Sequence, residues 1–262
     1  MSRGLIFDVD SFAIHDGPGI RLAVYFKGCP LECAWCHSPE SQSSDSELVF
    51  LADRCSACGQ CVAVCPEGVH GVSGGEHHID RDLCTTCGRC VEVCPAAALA
   101  IKGHIAEASE IAGKAIRMQP FFDHSGGGIT LTGGEVTAQP EFAVDVLERC
   151  KAKGIHTAIE TCGACSWETL EPIAKLSDLI LYDIKLVDPA EHSRWTGAGN
   201  RQIIDNLRHL PPLRVRIRVP MIPEVTDTAS NLAAIDRLAR ETGIAQIEHL
   251  PYNESAAAKY EW

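Results

Sequence analysis

Three cysteine runs constrain this chain more than any other feature. Two of them read Cys55, Cys58, Cys61, Cys65 with Pro66, and Cys84, Cys87, Cys90, Cys94 with Pro95. Each has the C-x2-C-x2-C-x3-C-P spacing of bacterial iron–sulfur ligation. Zinc is the competing metal, but the doubled run and the trailing prolines favour iron–sulfur. The third run is shorter: Cys29, Cys33 and Cys36 in C-x3-C-x2-C spacing. A four-thiolate run can close its cluster. A three-thiolate run leaves one iron open to another ligand. An open iron implies chemistry, and two closed clusters beside it imply a supply of electrons.

The long runs form an internal repeat. CSACGQCVAVCPEGV at 55–69 matches CTTCGRCVEVCPAAA at 84–98, an offset of 29 residues. One such unit is too small to bury a core. Two units around two clusters can be stable, because metal binding contributes folding free energy. In two-cluster ferredoxins the fourth cysteine of each run serves the other cluster. That rule groups Cys55, Cys58, Cys61 and Cys94, and separately Cys84, Cys87, Cys90 and Cys65. A polar, serine-rich stretch at 38–47 leads in and Lys102-Gly103 leads out. The expected organisation is a ferredoxin-like α+β insert with two [4Fe–4S] clusters at 48–102, within a second domain formed by 1–47 and 103–262.

Composition narrows the setting. Eleven of the fourteen cysteines lie in the three runs, so a reducing cytoplasm is expected over an oxidising compartment. The N-terminal MSRGLIFDVD lacks the apolar core of a signal peptide. No run approaches the roughly 18 apolar residues of a membrane span. The formal charge is −12 with no basic patch, which argues against nucleic acid as a partner. Clusters exposed to oxygen are at risk, so an anaerobic or microaerobic setting is expected.

Outside the insert, strand and helix signals alternate. Strands are expected at 23–27, 128–131, 156–160, 179–185, 215–219 and 245–250. Helices are expected at 106–118, 141–153, 167–176, 189–194, 202–207 and 230–241. Six strands followed by helices or loops predict a parallel sheet with helices outside, a partial (β/α)6 TIM-like barrel. Chemistry in such barrels sits at the C-terminal strand ends. Cys29, Thr132 to Glu135, Glu160-Thr161, Asp183, Lys185 and Arg218 all fall at or beyond those ends.

The neighbours of the short run carry a family resemblance. His15-Asp16-Gly17-Pro18-Gly19-Ile20-Arg21, then Phe26-Lys27-Gly28-Cys29, resembles the activating enzymes of glycyl radical enzymes, members of the radical S-adenosylmethionine superfamily. So do SGGGITLTGGE at 125–135, Glu160-Thr161, YDIK at 182–185, RVPMIP at 218–223 and the closing LPYNESAAAKY. The likeness spans essentially the whole chain. The insert points to the larger activases.

The resemblance implies roles. Cys29, Cys33 and Cys36 would hold the catalytic [4Fe–4S] cluster, the third of three. Its open iron would chelate S-adenosylmethionine. Reductive cleavage would give methionine and a 5′-deoxyadenosyl radical, which takes hydrogen from a glycine in the C-terminal loop of a partner glycyl radical enzyme. Trp35, Gly133, Gly134, Glu135, Lys185, Arg218 and Asn253 would contact the cofactor. Trp35 would lie against the adenine, or else pack in the core. Gly133 and Gly134 would let backbone approach the methionine amino group, or else make a tight turn. Glu160, Thr161 and Asp183 match a monovalent-cation site; pairing with each other or with Lys185 is the alternative. Asp16 would lie near the partner's glycine loop, or else serve a turn.

Asn253 replaces the histidine that many relatives carry in Pro-Tyr-His, and an amide does not titrate near neutral pH. The chain stops at Trp262, where the family leads one to expect another helix, so it is short by nature or truncated. Cys150, Cys162 and Cys165 read as buried or free thiols, and His77-His78 as a solvated loop. Flavodoxin or ferredoxin is the expected reductant. Two other functions compete: a radical enzyme of the same superfamily acting on a small molecule, and a pure electron carrier. A carrier needs no open iron.

Overall fold

The computed structural model describes residues 2–253 and 259–260. Its strands are β1 Arg3–Ala13, β2 Arg21–Phe26, β3 Glu47–Phe50, β4 His70–Ser73, β5 Glu76–Ile79, β6 Leu99–Lys102, β7 His104–Glu107, β8 Gly128–Gly133, β9 His156–Thr161, β10 Leu179–Asp183, β11 Val215–Met221 and β12 Ile247–Pro251. Its helices are α1 Gln60–Val64, α2 Arg89–Glu92, α3 Ala108–Arg117, α4 Gln119–Ser125, α5 Pro140–Lys151, α6 Trp167–Leu176, α7 Pro189–Thr196, α8 Arg201–His209 and α9 Ala229–Thr242.

The main sheet runs β12-β11-β10-β9-β8-β2-β1-β7. The six strands from β2 to β12 are mutually parallel, as the alternation predicts. Residues 128–132 of β8 are all buried, the mark of a parallel strand covered on both faces. Helix α5 presents Phe142, Ala143, Val146 and Leu147 to this core. Gly4 is required by that packing: a Cβ there would stand 2.2 Å from Phe142 Cδ1.

Two strands depart from the expected pattern. β1 pairs antiparallel with β2, and β7 pairs antiparallel with β1. The expected helix at 106–118 therefore begins two residues late, at Ala108. Ala106 and Glu107 belong to β7, where pairing with Arg3 and Gly4 and burial of Ala106 outweigh local helical preference.

The start of the parallel strands is plugged by Arg21, which is fully buried. Its Nε donates to Thr130 Oγ1 at 2.8 Å and its Nη2 to the Ile129 carbonyl. Burial pulls its guanidinium down to about 10.

Residues 47–102 leave and return through the antiparallel pair β3–β6, with Glu47 opposite Lys102. Between them lie α1, the hairpin β4–β5, and α2. The repeat is visible in the backbone. Ala57 and Thr86 both take φ 52°, and Gly59 and Gly88 cap α1 and α2 at φ 73° and 78°. Left-handed Ala and Thr are unfavourable, so the same strain at both repeats marks a built loop. The buried apolar cluster here is small: Leu48, Cys90 and Leu99, with Phe50, Ile79, Val91 and Ile101 against them, and Val49, Val69 and Ala98 buried outside it.

Candidate active site

Strand β2 delivers the chain into the three-cysteine loop, which is pinned from both sides. Gly28 N donates to Ser41 O at 2.8 Å and Cys29 N to Gln42 O at 3.0 Å. On the other side Glu32 N donates to Thr196 O at 2.8 Å and Ala34 N to Trp195 O at 3.0 Å. Beneath the loop Lys27 is fully buried, with Nζ 2.6 Å from Glu40 O and 2.8 Å from Glu47 Oε2. Leu31 and Cys33 are buried, with Cys29, Cys36 and Trp35 packed around them. Trp35 is half-buried, its ring 6.3 Å from that of Trp195.

A fourth thiol joins this group. Cys162, just past the end of β9, is buried in the same cluster. Its thiol lies in hydrogen-bonding reach of Cys29, which lowers Cys29 against the upward push of burial and raises Cys162 well above a free thiol. Burial pushes Cys33 up to about 11 and also raises Cys36. The Lys185 ammonium opposes that push at all four sulfurs. Three thiols on an apolar floor beside a buried cation suit an anionic thiolate-ligated cluster. Nothing in the spacing of Cys162 signals this position; only the return of β9 beside β8 creates it.

The Gly-Gly-Glu turn packs against the chain's own backbone. Gly133, at φ 108°, would put a Cβ 2.3 Å from Phe26 N, and Gly134 would put one 2.4 Å from Gly28 O. The missing Cβ atoms thus serve the tight turn. Glu135 is buried and acts inward: Oε1 accepts from Thr137 N at 3.0 Å, Thr137 Oγ1 at 2.9 Å and Thr161 Oγ1 at 2.6 Å. Its Oε2 accepts from Cys162 N at 2.7 Å. It ties β8 to β9 and fixes Cys162 beneath Cys29.

The remaining polar residues form a chain of ion pairs. Glu160 accepts from Thr132 Oγ1 at 2.5 Å and from Arg218 Nη1 at 2.7 Å. Burial pushes its carboxyl up to about 7 against the pull of Arg218. Lys185 Nζ lies 2.9 Å from Asp183 Oδ2. Burial opposes the Lys185 charge, but Asp183 and the nearby thiols outweigh it and raise the amine. Thr161 turns its hydroxyl to Glu135, so the three expected cation ligands are paired mainly within the protein. Asp183 Oδ1 is the exception, buried with no hydrogen-bond partner.

Arg218 Nη2 also reaches His15 O at 3.2 Å, and Thr130 Oγ1 donates to Asp16 O at 2.7 Å. The Asp16 loop is thus held by Thr130 of β8 and by the same Arg218 that pairs with Glu160. Beside the three-cysteine loop Asn253 contacts His37 Nε2 at 2.9 Å, and Tyr260 donates to Cys36 O at 3.0 Å. Residues 254–258 of the closing motif lie outside the described residues.

In the insert, two cavities each draw thiols from both repeats. One is lined by Cys55, Cys58, Cys61 and Cys94, and the other by Cys65, Cys84, Cys87 and Cys90. Four thiols around one cavity are the donor set of a cubane cluster. The expected solvated loop at His77-His78 is instead strand β5. His78 is exposed, but His77 is half-buried, edge-on to Phe50 at 4.6 Å and stacked on His70 at 5.1 Å. No helix among the described residues is long and apolar enough to cross a membrane.

The chain is similar to known proteins. The Radical SAM superfamily pattern matches residues 24–233. The choline trimethylamine-lyase activating enzyme of Oleidesulfovibrio alaskensis is 41% identical over 98% of this chain and 86% of its own length. The trans-4-hydroxy-L-proline dehydratase activating enzyme of Clostridioides difficile is 42% identical over 98% and 87%. The (2S)-3-sulfopropanediol sulfolyase activating enzyme of Bilophila wadsworthia is 39% identical over 98% and 87%. Streptococcus suis SuiB, solved with the precursor peptide SuiA, shares the fold with a TM-score of 0.56 at 15% identity, over 96% of this chain and 42% of SuiB. Identity near 40% along almost the entire chain goes well beyond a shared barrel. The chain belongs to the radical SAM superfamily and, within it, to the activating enzymes of glycyl radical enzymes, so it is a radical SAM activase.

Proposed function

We propose that this activase works with three [4Fe–4S] clusters: a catalytic one on Cys29, Cys33 and Cys36, and two in a ferredoxin-like insert at 48–102. The observation that carries the reading is the gathering of the three thiols, on an apolar floor beside Lys185, at the strand ends. When bound, the catalytic cluster and S-adenosylmethionine supply a reductively generated 5′-deoxyadenosyl radical that removes hydrogen from a partner's glycine. The chain's own residues bind, orient and exclude water. Lys185 offers a buried cation to the cofactor carboxylate. Asp183 Oδ1 is the open acceptor for a cationic group, the cofactor ammonium or a monovalent cation held with Glu160 and Thr161. Trp35 offers an aromatic face to the adenine, with Asn253 at the rim. The Gly133 and Gly134 turn, locked by Glu135, fixes the floor, and Arg218 holds Glu160 in place.

The insert clusters would pass electrons from a flavodoxin or ferredoxin in the cytoplasm. Named relatives within 39–42% identity serve a trimethylamine-lyase, a sulfolyase and a dehydratase. The shared step is therefore the proposal: hydrogen removal from a partner's glycine loop. Anaerobic reconstitution, dithionite and S-adenosylmethionine should yield 5′-deoxyadenosine from the native chain and none from Cys33→Ala. Product from Cys33→Ala would overturn the catalytic assignment. Cys58→Ala should keep dithionite-driven turnover and lose flavodoxin-driven turnover; full activity with flavodoxin would end the relay reading.

A further inference from the structure

His70 and His77 are not used by any step above, yet they occupy a singular place. They face each other across the hairpin β4–β5. His77 lines the cavity of Cys55, Cys58, Cys61 and Cys94, while His70 lines that of Cys65, Cys84, Cys87 and Cys90. The pair stands between the two thiol sets. His77 Nε2 is 3.0 Å from His70 Nδ1 and 3.4 Å from Cys61 Sγ. The outer ring nitrogens, His70 Nε2 and His77 Nδ1, are buried without a hydrogen-bond partner.

One nitrogen with two contacts restricts where the hydrogen sits. A cluster-bound Cys61 is a thiolate and can only accept. His77 Nε2 must then carry the hydrogen, because a lone pair there would face a sulfur anion. His70 Nδ1 must in turn present its lone pair to the same N–H, leaving the hydrogen of neutral His70 on Nε2. His70 thereby fixes both the tautomer and the tilt of His77. This is how an outer ligand commonly orients an inner one.

The repeat makes the contact informative. Position 61 corresponds to 90, and Val62 and Val91 amides approach the two sulfurs alike. The histidine has no such counterpart. The offset of 29 that relates the runs maps Leu48 on β3 to His77 on β5, and His70 on β4 to Leu99 on β6. Cys90 instead packs against Leu48 and Leu99. Two further amides reach sulfur on the His77 side: Ala57 N to Cys55 at 3.4 Å and Ala98 N to Cys94 at 3.3 Å. Glu67 lines the other cavity and disfavours added negative charge there.

We infer that His77, oriented by His70, donates a hydrogen bond to the Cys61 thiolate and makes that cluster easier to reduce than its repeat twin. Reduction adds an electron to an anionic cluster, so a fixed N–H at sulfur favours the reduced form. Sequence symmetry suggests two equivalent clusters; this contact makes them unequal. The inference rests on the two-cluster reading of the insert.

The test uses the full chain with Cys29, Cys33 and Cys36 all changed to Ala, which removes the catalytic cluster. After anaerobic reconstitution, iron and sulfide are counted and the clusters are titrated potentiometrically with EPR detection. Two separable reduction steps are expected. His77→Leu should move the higher step to more negative potential and leave the lower one in place. His77→Gln restores an N–H and should recover much of the shift. His70→Phe should give a smaller shift of the same sign. Iron short of two clusters in the parent variant would overturn the two-cluster reading itself. Full iron with the higher step unmoved, or with both steps moved equally, would overturn the histidine inference alone. So would tight zinc retention by iron-free protein that disappears in His77→Leu, which would assign Cys61, His70 and His77 to a single ion. If His77→Leu fails to load, the Gln and Phe variants decide.

Discussion

The barrel and the insert solve the folding problem by opposite means. The barrel buries one continuous apolar core that runs from Ile6 on β1 to Ile244 beyond α9. The insert has a small buried apolar cluster, Leu48, Cys90 and Leu99, with Val49, Val69 and Ala98 buried beside it. Burial stabilises by roughly 25 cal/mol per Å2 of apolar surface, so the barrel gains far more from it than the insert does. The insert's other inward groups include eight thiols and the His70–His77 pair, and on the two-cluster proposal the stabilising partner of the thiols would be metal. On the two-cluster proposal, one region tolerates an open, reactive site while the other would be organised around its clusters.

That contrast can be broken most sharply at the catalytic loop. Cys33→Ala should abolish 5′-deoxyadenosine formation while leaving the urea midpoint of the iron-free barrel nearly unchanged, because Cys33 contributes little to the main core. Removing iron by chelation is the next largest effect. Amides of 55–98 should lose hydrogen-exchange protection while those of β8, β9 and β10 keep theirs. Equal loss in both regions would show that the two are not separate in stability.

Core truncations sharpen the comparison further. Phe142→Ala removes a buried ring that touches Gly4 and Phe26, and should cost about 3–5 kcal/mol in urea unfolding. Leu99→Ala in the cluster-loaded protein should cost about 2 kcal/mol, the low end for a buried leucine, because on the two-cluster proposal metal would carry most of that region.

The smallest effect is electrostatic. Asp145 accepts from Ser2 N at 3.1 Å, Ser2 Oγ at 2.8 Å and Arg149 Nε at 2.5 Å, and these donors hold its carboxyl down at about 2. The unfolded chain therefore binds the proton first as pH falls. This stability is fully present above about pH 4 and lost toward pH 2. The pair is partly exposed, so Asp145→Asn should cost about 1 kcal/mol or less at pH 7, with the gap to the native chain closing over that window.

The parallel strands were legible because their apolar runs end in polar or glycine-rich turns at regular spacing. β1 and β7 were not, because their pairing is antiparallel and β7 is four residues long next to a strong helix signal. Among the candidate site residues, the thiol runs were readable from spacing alone. The environments of Glu135 and Thr161 were not, since both face each other and Cys162 across a β8–β9 contact. His77 was misread as solvated because a His-His pair near Gly-Gly looks like a hairpin tip; its burial depends on Phe50 and His70.

The sequence by itself determined which metal chemistry this protein can host, because ligand type and spacing are local properties of a short run. It also determined that these strands form a parallel sheet, through the alternation of strand and helix signals. Tertiary structure alone decided which groups outside the runs meet the sulfurs: Cys162 against Cys29, Lys185 facing the three-thiol pocket, and His77 against Cys61. Such contacts join residues 16 to 156 positions apart, and no local pattern encodes them. They follow from strand order and packing, which bring distant side chains within a few ångströms only after the whole sheet has formed.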